Sequence, residues 1–125
     1  MTLKEKLVQE TLLLLPDVKL IYLFGSQANG SAHQNSDIDI AILLDKKIAS
    51  VKRFDIQESL AIKLDKDIDL VDLLSASTVM QNQVIQHGEL IYGDETICCQ
   101  FEMQVLSMYQ HLNHERAEIL QDYIK

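Results

Sequence analysis

The strongest constraint on the fold of this chain is an alternation of short apolar runs with longer segments of helical periodicity. Apolar runs rich in Val, Ile and Leu predict three buried strands, at residues 18–24, 37–44 and 67–74. Apolar spacing predicts four helices, at about residues 3–15, 50–64, 77–86 and 95–124. A short fourth strand is expected at Glu89–Tyr92. This order predicts an α/β (α+β) fold, in which helices cover a small mixed sheet and the C-terminal helix is long.

Several residues mark where these helices begin and end. Pro16 ends the first helix, Ser77 is a candidate N-cap, and Gly88 is the C-cap of the same short helix. In the second helix, apolar spacing predicts a buried face, which carries Val51, Phe54, Ala61 and Leu64.

Length and charge narrow the possible functions. A chain of 125 residues is expected to form one domain (1–125), with its core at about 18–92. The formal net charge of −8 argues against direct binding of nucleic acid, which requires basic surfaces. It is consistent with a carboxylate-rich metal site, or with a surface for a basic protein partner.

The sequence shows no targeting or membrane segment. The longest apolar run, Leu12–Leu15, is too short to cross a bilayer, and the N-terminus lacks the pattern of a signal peptide. We therefore expect a cytoplasmic protein without membrane contact. Cys98 and Cys99 are adjacent and match no zinc pattern, so both are expected to pack against the core from their helix.

The first strand leads into Gly25-Ser26. A glycine at this corner lets the backbone approach a ligand closely, and Ser26 adds a hydroxyl beside free N–H groups, which suits phosphate oxygens. An ordinary turn is the alternative, and the dipeptide alone favours it.

Asp37 and Asp39 begin the second strand and point to the same face because side chains alternate along a strand. Two neighbouring carboxylates repel each other, and a divalent cation such as Mg²⁺ removes that repulsion. The alternative is a solvent-exposed strand start with two solubilising acids.

The third strand carries Asp67, Asp69 and Asp72. Asp67 and Asp69 share one face, and Asp72 lies on the other. An acid between Ile68 and Leu70 is costly unless it is paired, so Asp69 is the preferred third carboxylate of a cluster with Asp37 and Asp39. Such a cluster can hold two metal ions. Asp72 is expected to be a strand-end or helix-capping acid.

Together these segments resemble the DNA polymerase beta-like nucleotidyltransferase superfamily, and within it the minimal nucleotidyltransferases. The family pattern is Gly-Ser, ten intervening residues and then Asp-x-Asp. It is present here as Gly25-Ser26, residues 27–36 and Asp37-Ile38-Asp39. The resemblance covers about residues 18–92. An arginine usually follows the serine in the family, but Gln27 stands here, so Lys63 and Lys66 become candidate phosphate contacts.

The resemblance implies a role for each matching residue. Gly25 and Ser26 would bind the triphosphate of ATP, and Asp37, Asp39 and Asp69 would be catalytic and would bind Mg²⁺, two ions in all. Asp69 would also act as the general base toward an acceptor hydroxyl. The reaction would be Mg²⁺-dependent transfer of a nucleoside monophosphate, with pyrophosphate leaving.

Small members of this family resemble the antitoxins of HEPN/MNT toxin–antitoxin pairs, which transfer AMP from ATP to a tyrosine of a HEPN ribonuclease toxin. The resemblance implies such a toxin as the partner. The helix from Glu95 is a candidate docking surface, or it simply packs against the sheet. Two other functions remain open: nucleotide transfer to a small molecule, as in aminoglycoside nucleotidyltransferases, and an antitoxin that acts by binding alone.

Overall fold

The computed structural model describes residues 2–25 and 37–124, with the side chains of residues 116–124 excluded. Its elements follow the predicted order: α1 (Leu3–Leu14), β1 (Leu20–Phe24), β2 (Ile38–Leu43), α2 (Ser50–Leu64), β3 (Ile68–Asp72), α3 (Thr78–His87), β4 (Glu89–Gly93) and α4 (Glu95–Ile124). The predicted alternation and the long C-terminal helix are confirmed. The loop expected from Ser26 to Ser36 lies outside the described residues.

The four strands form one mixed sheet in the order β3-β2-β1-β4. Strands β2 and β3 are parallel, and α2 makes the crossover between them. Strand β1 is antiparallel to both β2 and β4. The topology therefore places the start of β2, the start of β3 and the end of β1 at the same end of the sheet.

Helices cover both faces of this sheet. One face packs against α1 and α2 through Ile21, Leu23, Ile40, Ile42, Leu70, Leu7, Ile56 and Leu60. The opposite face packs against α3 and α4 through Leu20, Tyr22, Ala41, Leu43, Val84, Phe101 and Val105. Burial on both faces explains why the strands read as nearly continuous apolar runs.

The expected helix ends are present. The Ser77 hydroxyl accepts a hydrogen bond from the Met80 N–H at 3.1 Å, and the Gly88 N–H donates to the Val84 carbonyl at 2.7 Å. Helix α1 stops at Leu14, two residues before Pro16. At its N-terminus Thr2 and Glu5 form a capping box, which the sequence analysis did not identify.

The predicted buried face of α2 was partly wrong. Leu64 is buried and Ala61 packs against the core as predicted, but Val51 and Phe54 are 74% and 53% exposed. Ile56 and Leu60, which were not predicted, are buried instead. At 100° per residue, Val51 and Phe54 lie opposite the stripe formed by Ile56 and Leu60. That stripe faces the sheet because it buries three large aliphatic side chains, and isolated apolar side chains on a surface cost little.

The first half of α4 packs against the sheet. Phe101 and Val105 are buried, while Met103 and Met108 are 71% and 55% exposed. Both cysteines are free thiols, and Cys98 packs against the α3/α4 core while Cys99 is exposed, so the expectation of packing holds for Cys98 only. In the described part of the chain, every helix is too short or too polar to cross a membrane.

Candidate active site

Strand register brings the candidate site residues together at one end of the sheet. Asp39 lies opposite Asp69 in the parallel pair, and Phe24 lies opposite Asp39 in the antiparallel pair. Gly25 directly follows Phe24. Three adjacent strands therefore contribute Gly25, Asp39 and Asp69 to one corner, with Asp37 immediately before β2.

Gly25 is required at this corner for two reasons. Its φ angle is +76°, a conformation that residues with a side chain rarely adopt. A Cβ atom there would also collide with Oδ2 of Asp39. The backbone of Gly25 thus packs directly against the Asp39 carboxylate. The predicted approach of a ligand to this corner stays a prediction.

The acids at this corner affect one another electrostatically. The pKa of Asp39 is raised above its ordinary value, first by partial burial and then by the negative charges of Asp69 and Asp37. Asp37 and Asp69 are exposed, and Asp39 is half-buried. Because no structural gain follows from this repulsion, the arrangement indicates a site that receives positive charge.

The donor set fits Mg²⁺, because carboxylate oxygens are the ligands that this ion prefers and their mutual repulsion falls when it binds. Asp37, Asp39 and Asp69 would supply these oxygens. Among residues 2–25 and 37–115, no three His, Cys, Asp or Glu side chains already converge as a preformed metal site. The assignment therefore rests on donor chemistry and repulsion, and it remains a prediction.

Asp69 and Asp72 occupy different environments from each other. Asp69 is exposed, so the expectation that it would be costly in an apolar strand was wrong: its side of β3 faces solvent at this point. Asp72 is only 3% exposed. It accepts hydrogen bonds from the N–H groups of Ile48 and Leu74 at 2.9 and 3.2 Å and from the Ser75 hydroxyl at 2.8 Å. The structure thus confirms Asp72 as a strand-end acid that organises two loops.

Among the candidate phosphate contacts, Lys63 lies in an ion pair with another helix. Ser26 lies outside the described residues. The Lys63 ammonium group is 3.0 Å from the Glu10 carboxylate, so this lysine is already engaged with α1. Asp69 also borders an open groove of about 270 Å³, which it shares with Ile48, Ser50, Arg53, Val71 and Ser75.

A polar cluster of Tyr22, Cys98 and Glu102 lies on the same face of the sheet as Asp39 and was not predicted from the sequence. Tyr22 points to the same face of the sheet as Asp39, and its hydroxyl donates to Oε2 of Glu102 at 2.8 Å. The Cys98 thiol donates to the same oxygen at 2.9 Å. Burial raises the pKa of the Tyr22 hydroxyl, and the bonds to Cys98 and Glu102 raise it further. A tyrosine within a buried central strand was the available signal, because its hydroxyl needs a partner.

Residues 5–97 match the family model described as polymerase beta, nucleotidyltransferase. The chain belongs to this family. The match includes the Gly25 corner, all three acids and the whole sheet, and it ends where α4 begins.

The chain is also similar in sequence and in structure to individual members of this family. The chain is 45% identical over 108 residues to the protein adenylyltransferase MntA of Shewanella oneidensis, covering 86% of this chain and 78% of that protein. A chain in a crystal structure of a toxin–antitoxin with AMP-PNP superposes with a TM-score of 0.89 at 40% identity, covering 99% of this chain and 100% of that one. A chain in the structure of a tri-AMPylated Shewanella oneidensis HEPN toxin with its MNT antitoxin gives a TM-score of 0.81 at 38% identity, covering 98% and 96%.

Proposed function

We propose that this nucleotidyltransferase is a protein adenylyltransferase that transfers AMP from ATP to a tyrosine hydroxyl of a HEPN ribonuclease toxin and thereby acts as its antitoxin. The observation that carries this proposal is the near-complete superposition on a chain solved as a toxin–antitoxin with AMP-PNP. The structure of an AMPylated HEPN toxin supports the acceptor class. The juxtaposed Asp39 and Asp69 supply the chemistry that transfer requires.

The residues would divide the reaction among them. The Gly25 backbone and Ser26 would bind the triphosphate, and Asp37, Asp39 and Asp69 would hold Mg²⁺. When bound, Mg²⁺ neutralises phosphate charge. Asp69 would accept the proton of the acceptor hydroxyl, while the oxygen of that hydroxyl forms a bond to the α-phosphorus of ATP. The bond from that phosphorus to the β-phosphate oxygen breaks, and pyrophosphate leaves with its electron pair.

Catalytic neutralisation differs from binding in its stoichiometry. We expect one molecule of this chain to inactivate many toxin molecules in the presence of ATP and Mg²⁺. The toxin should gain the mass of one or more AMP groups and stay inactive after the antitoxin is removed. The measurement is ribonuclease activity and intact mass of the toxin after incubation with substoichiometric antitoxin.

The control is the Asp37→Ala, Asp39→Ala double variant, which should bind the toxin without modifying it. Neutralisation only at a one-to-one ratio, with no mass change and an equally potent double variant, would show that the chain acts by occlusion. Transfer to an aminoglycoside-like small molecule, with the toxin left unmodified, would also contradict the proposal.

We further propose that residues 103–114 of α4 contact the toxin. Residues 103–114 contain no Asp, Glu, Lys or Arg, although the chain carries a net charge of −8. Met103 and Met108 are exposed on this segment. Depletion of charge with enrichment of methionine is typical of the centre of a protein interface. The family match ends at residue 97, whereas the superpositions on toxin–antitoxin chains cover 98–99% of this chain.

Charge introduced in this segment should weaken complex formation. We expect Met103→Glu with Met108→Glu to weaken toxin binding at least about a hundredfold, because carboxylates would be desolvated in the contact. Calorimetry with the toxin measures the affinity. Ile62→Glu is the matched control, since Ile62 is 78% exposed on α2. Equal affinities for both variants would place the interface elsewhere.

A further inference from the structure

Strand β3 forms one edge of the described sheet, so half of its backbone groups face away from β2. The Asp67 carbonyl accepts from Ile38, and the Leu73 N–H donates to Ile42, which shows that odd-numbered residues of β3 pair with β2. The N–H and carbonyl of Leu70 therefore point outward. Such outward groups normally bond to water or invite another strand.

Two side chains of α2 form hydrogen bonds with the outward-facing N–H and carbonyl groups of Leu70. Gln57 Oε1 accepts from the Leu70 N–H at 2.9 Å, and Arg53 Nη1 donates to the Leu70 carbonyl at 3.0 Å. Arg53 Nη1 also lies 3.3 Å from Gln57 Oε1, so the two side chains are joined to each other. We call Arg53 and Gln57 the edge clamp.

The packing of α2 against the sheet determines where the side chains of the edge clamp lie. Arg53 and Gln57 are one helical turn apart and lie on the same side of α2 as Ile56 and Leu60, which pack against the sheet. Both polar side chains are half-buried. Their reach to β3 is therefore fixed by the hydrophobic contact between the helix and the sheet.

Asp69 needs such support because its neighbours repel it. It lies directly opposite Asp39, and like charges facing each other across a strand pair are destabilising. The bonds to β2 hold β3 from one side only. The edge clamp holds the next residue, Leu70, from the other side.

We propose that Arg53 and Gln57 are positioning residues, which hold β3 in place so that Asp69 stays opposite Asp39. The activity readout of this proposal rests on the proposed nucleotidyl transfer. Its structural readout does not, because the hydrogen bonds to Leu70 can be measured without ATP, metal or toxin.

Hydrogen exchange of the Leu70 amide tests the edge clamp directly. We expect this edge amide to be protected in the wild-type chain and to exchange about tenfold faster in Gln57→Ala. Gln57→Glu should retain protection, because its carboxylate still accepts the bond and pairs with Arg53. Glu58→Ala, at an exposed position of the same helix, is the control. An unprotected Leu70 amide in the wild type, or equal protection in Gln57→Ala, would overturn the proposal.

Transfer kinetics test the consequence for Asp69. We expect Arg53→Ala with Gln57→Ala to lower kcat at least about tenfold, since small displacements of a catalytic group cost large factors. The KM for ATP should change less than about twofold. Ile56→Val, which trims the core side of α2, is the control for general destabilisation, and all rates are measured well below the melting temperatures. A comparable loss of kcat in Ile56→Val would show that only stability matters and would overturn the proposal.

Failure of this proposal can be distinguished from failure of the proposed function. If the wild-type chain transfers no AMP to a toxin, the proposed function fails. The exchange of the Leu70 amide then still decides whether the edge clamp exists. If the wild-type chain is active and the Arg53→Ala, Gln57→Ala double variant keeps its kcat, the positioning role is wrong although the function stands.

Discussion

At the scale of single residues, Gly25 and Asp39 are mutually dependent. The carboxylate occupies the space where any other residue would carry its Cβ atom, and the positive φ of Gly25 excludes most replacements independently. The residue pattern predicted that a ligand would approach the backbone of Gly25 closely, which stays a prediction. It did not predict that the first group to approach Gly25 is a carboxylate of the chain itself.

Replacement of Asp39 should separate stability from activity. We expect Asp39→Asn to abolish transfer while raising the melting temperature slightly at neutral pH without divalent cations. The pKa of Asp39 is raised in the folded chain, so the ionised carboxylate destabilises the folded state. Since the carboxylate is partly exposed, solvent screening limits the gain to about 0.5 kcal/mol.

The pH dependence follows from the same shift. A folded-state pKa above the ordinary value of 3.8 means that the cost is absent below that pH and grows as the pH rises through the raised value. Thermal melts of both proteins from pH 3.5 to 7 measure it. A difference that is constant over this range would contradict the electrostatic cause. As a control, Asp72→Asn should lose stability, about 1–3 kcal/mol, because its amide nitrogen cannot accept the bonds that one of the two carboxylate oxygens accepts from Ile48, Leu74 or Ser75.

At the scale of elements, the secondary structure of each segment could be predicted from the sequence better than its tertiary contacts. Strands and helices were found because their apolar patterns differ, and alternation alone placed Asp37 and Asp39 on one face of their strand. The position of Asp69 opposite Asp39 depends on the register between two strands, which the sequence does not contain. The buried face of α2 was assigned only partly correctly, because apolar residues occur on several sides of this helix and periodicity alone does not tell which side meets the sheet. The contact between Tyr22 and Glu102 joins residues 80 positions apart, and no local pattern contains it.

That contact should hold α4 against the sheet. We expect Tyr22→Phe to lower the free energy of unfolding by about 1 kcal/mol, because it removes a charge-assisted bond to Glu102 in a largely buried place. Denaturant titration measures the change. Tyr109→Phe is the control, because it removes a tyrosine hydroxyl from α4 itself and leaves the bond between Tyr22 and Glu102 in place. Equal effects of the two variants would mean that the Tyr22 hydroxyl contributes nothing specific.

At the scale of the whole molecule, acidity shapes how the protein meets its substrate. A chain with a net charge of −8 and three acids at its candidate site would repel free ATP, which is itself an anion. Substrate binding and cation binding should therefore be linked. This linkage follows from charge alone and holds whichever acceptor is used.

Thermal shifts measure the linkage. We expect ATP with Mg²⁺ to raise the melting temperature well above the value with ATP alone, by the equivalent of about 2.7 kcal/mol when the ligand is at one hundred times its Kd. Chelation of the cation should reverse the shift. The Asp37→Ala, Asp39→Ala variant is the control and should show little response. Identical shifts with and without Mg²⁺ would argue against a cation at these acids.

The strand order also has a consequence for how the chain folds. The pairing of β1 with β2 and of β2 with β3 joins segments close in sequence, whereas β1 and β4 are the most widely separated partners in the described sheet. Distant pairings close late, because their loops cost more entropy. The corner that contains Gly25, Asp39 and Asp69 uses only the two early pairings. During folding, Asp39 and Asp69 should thus come together and begin to repel each other before β4 pairs with β1 and completes the sheet.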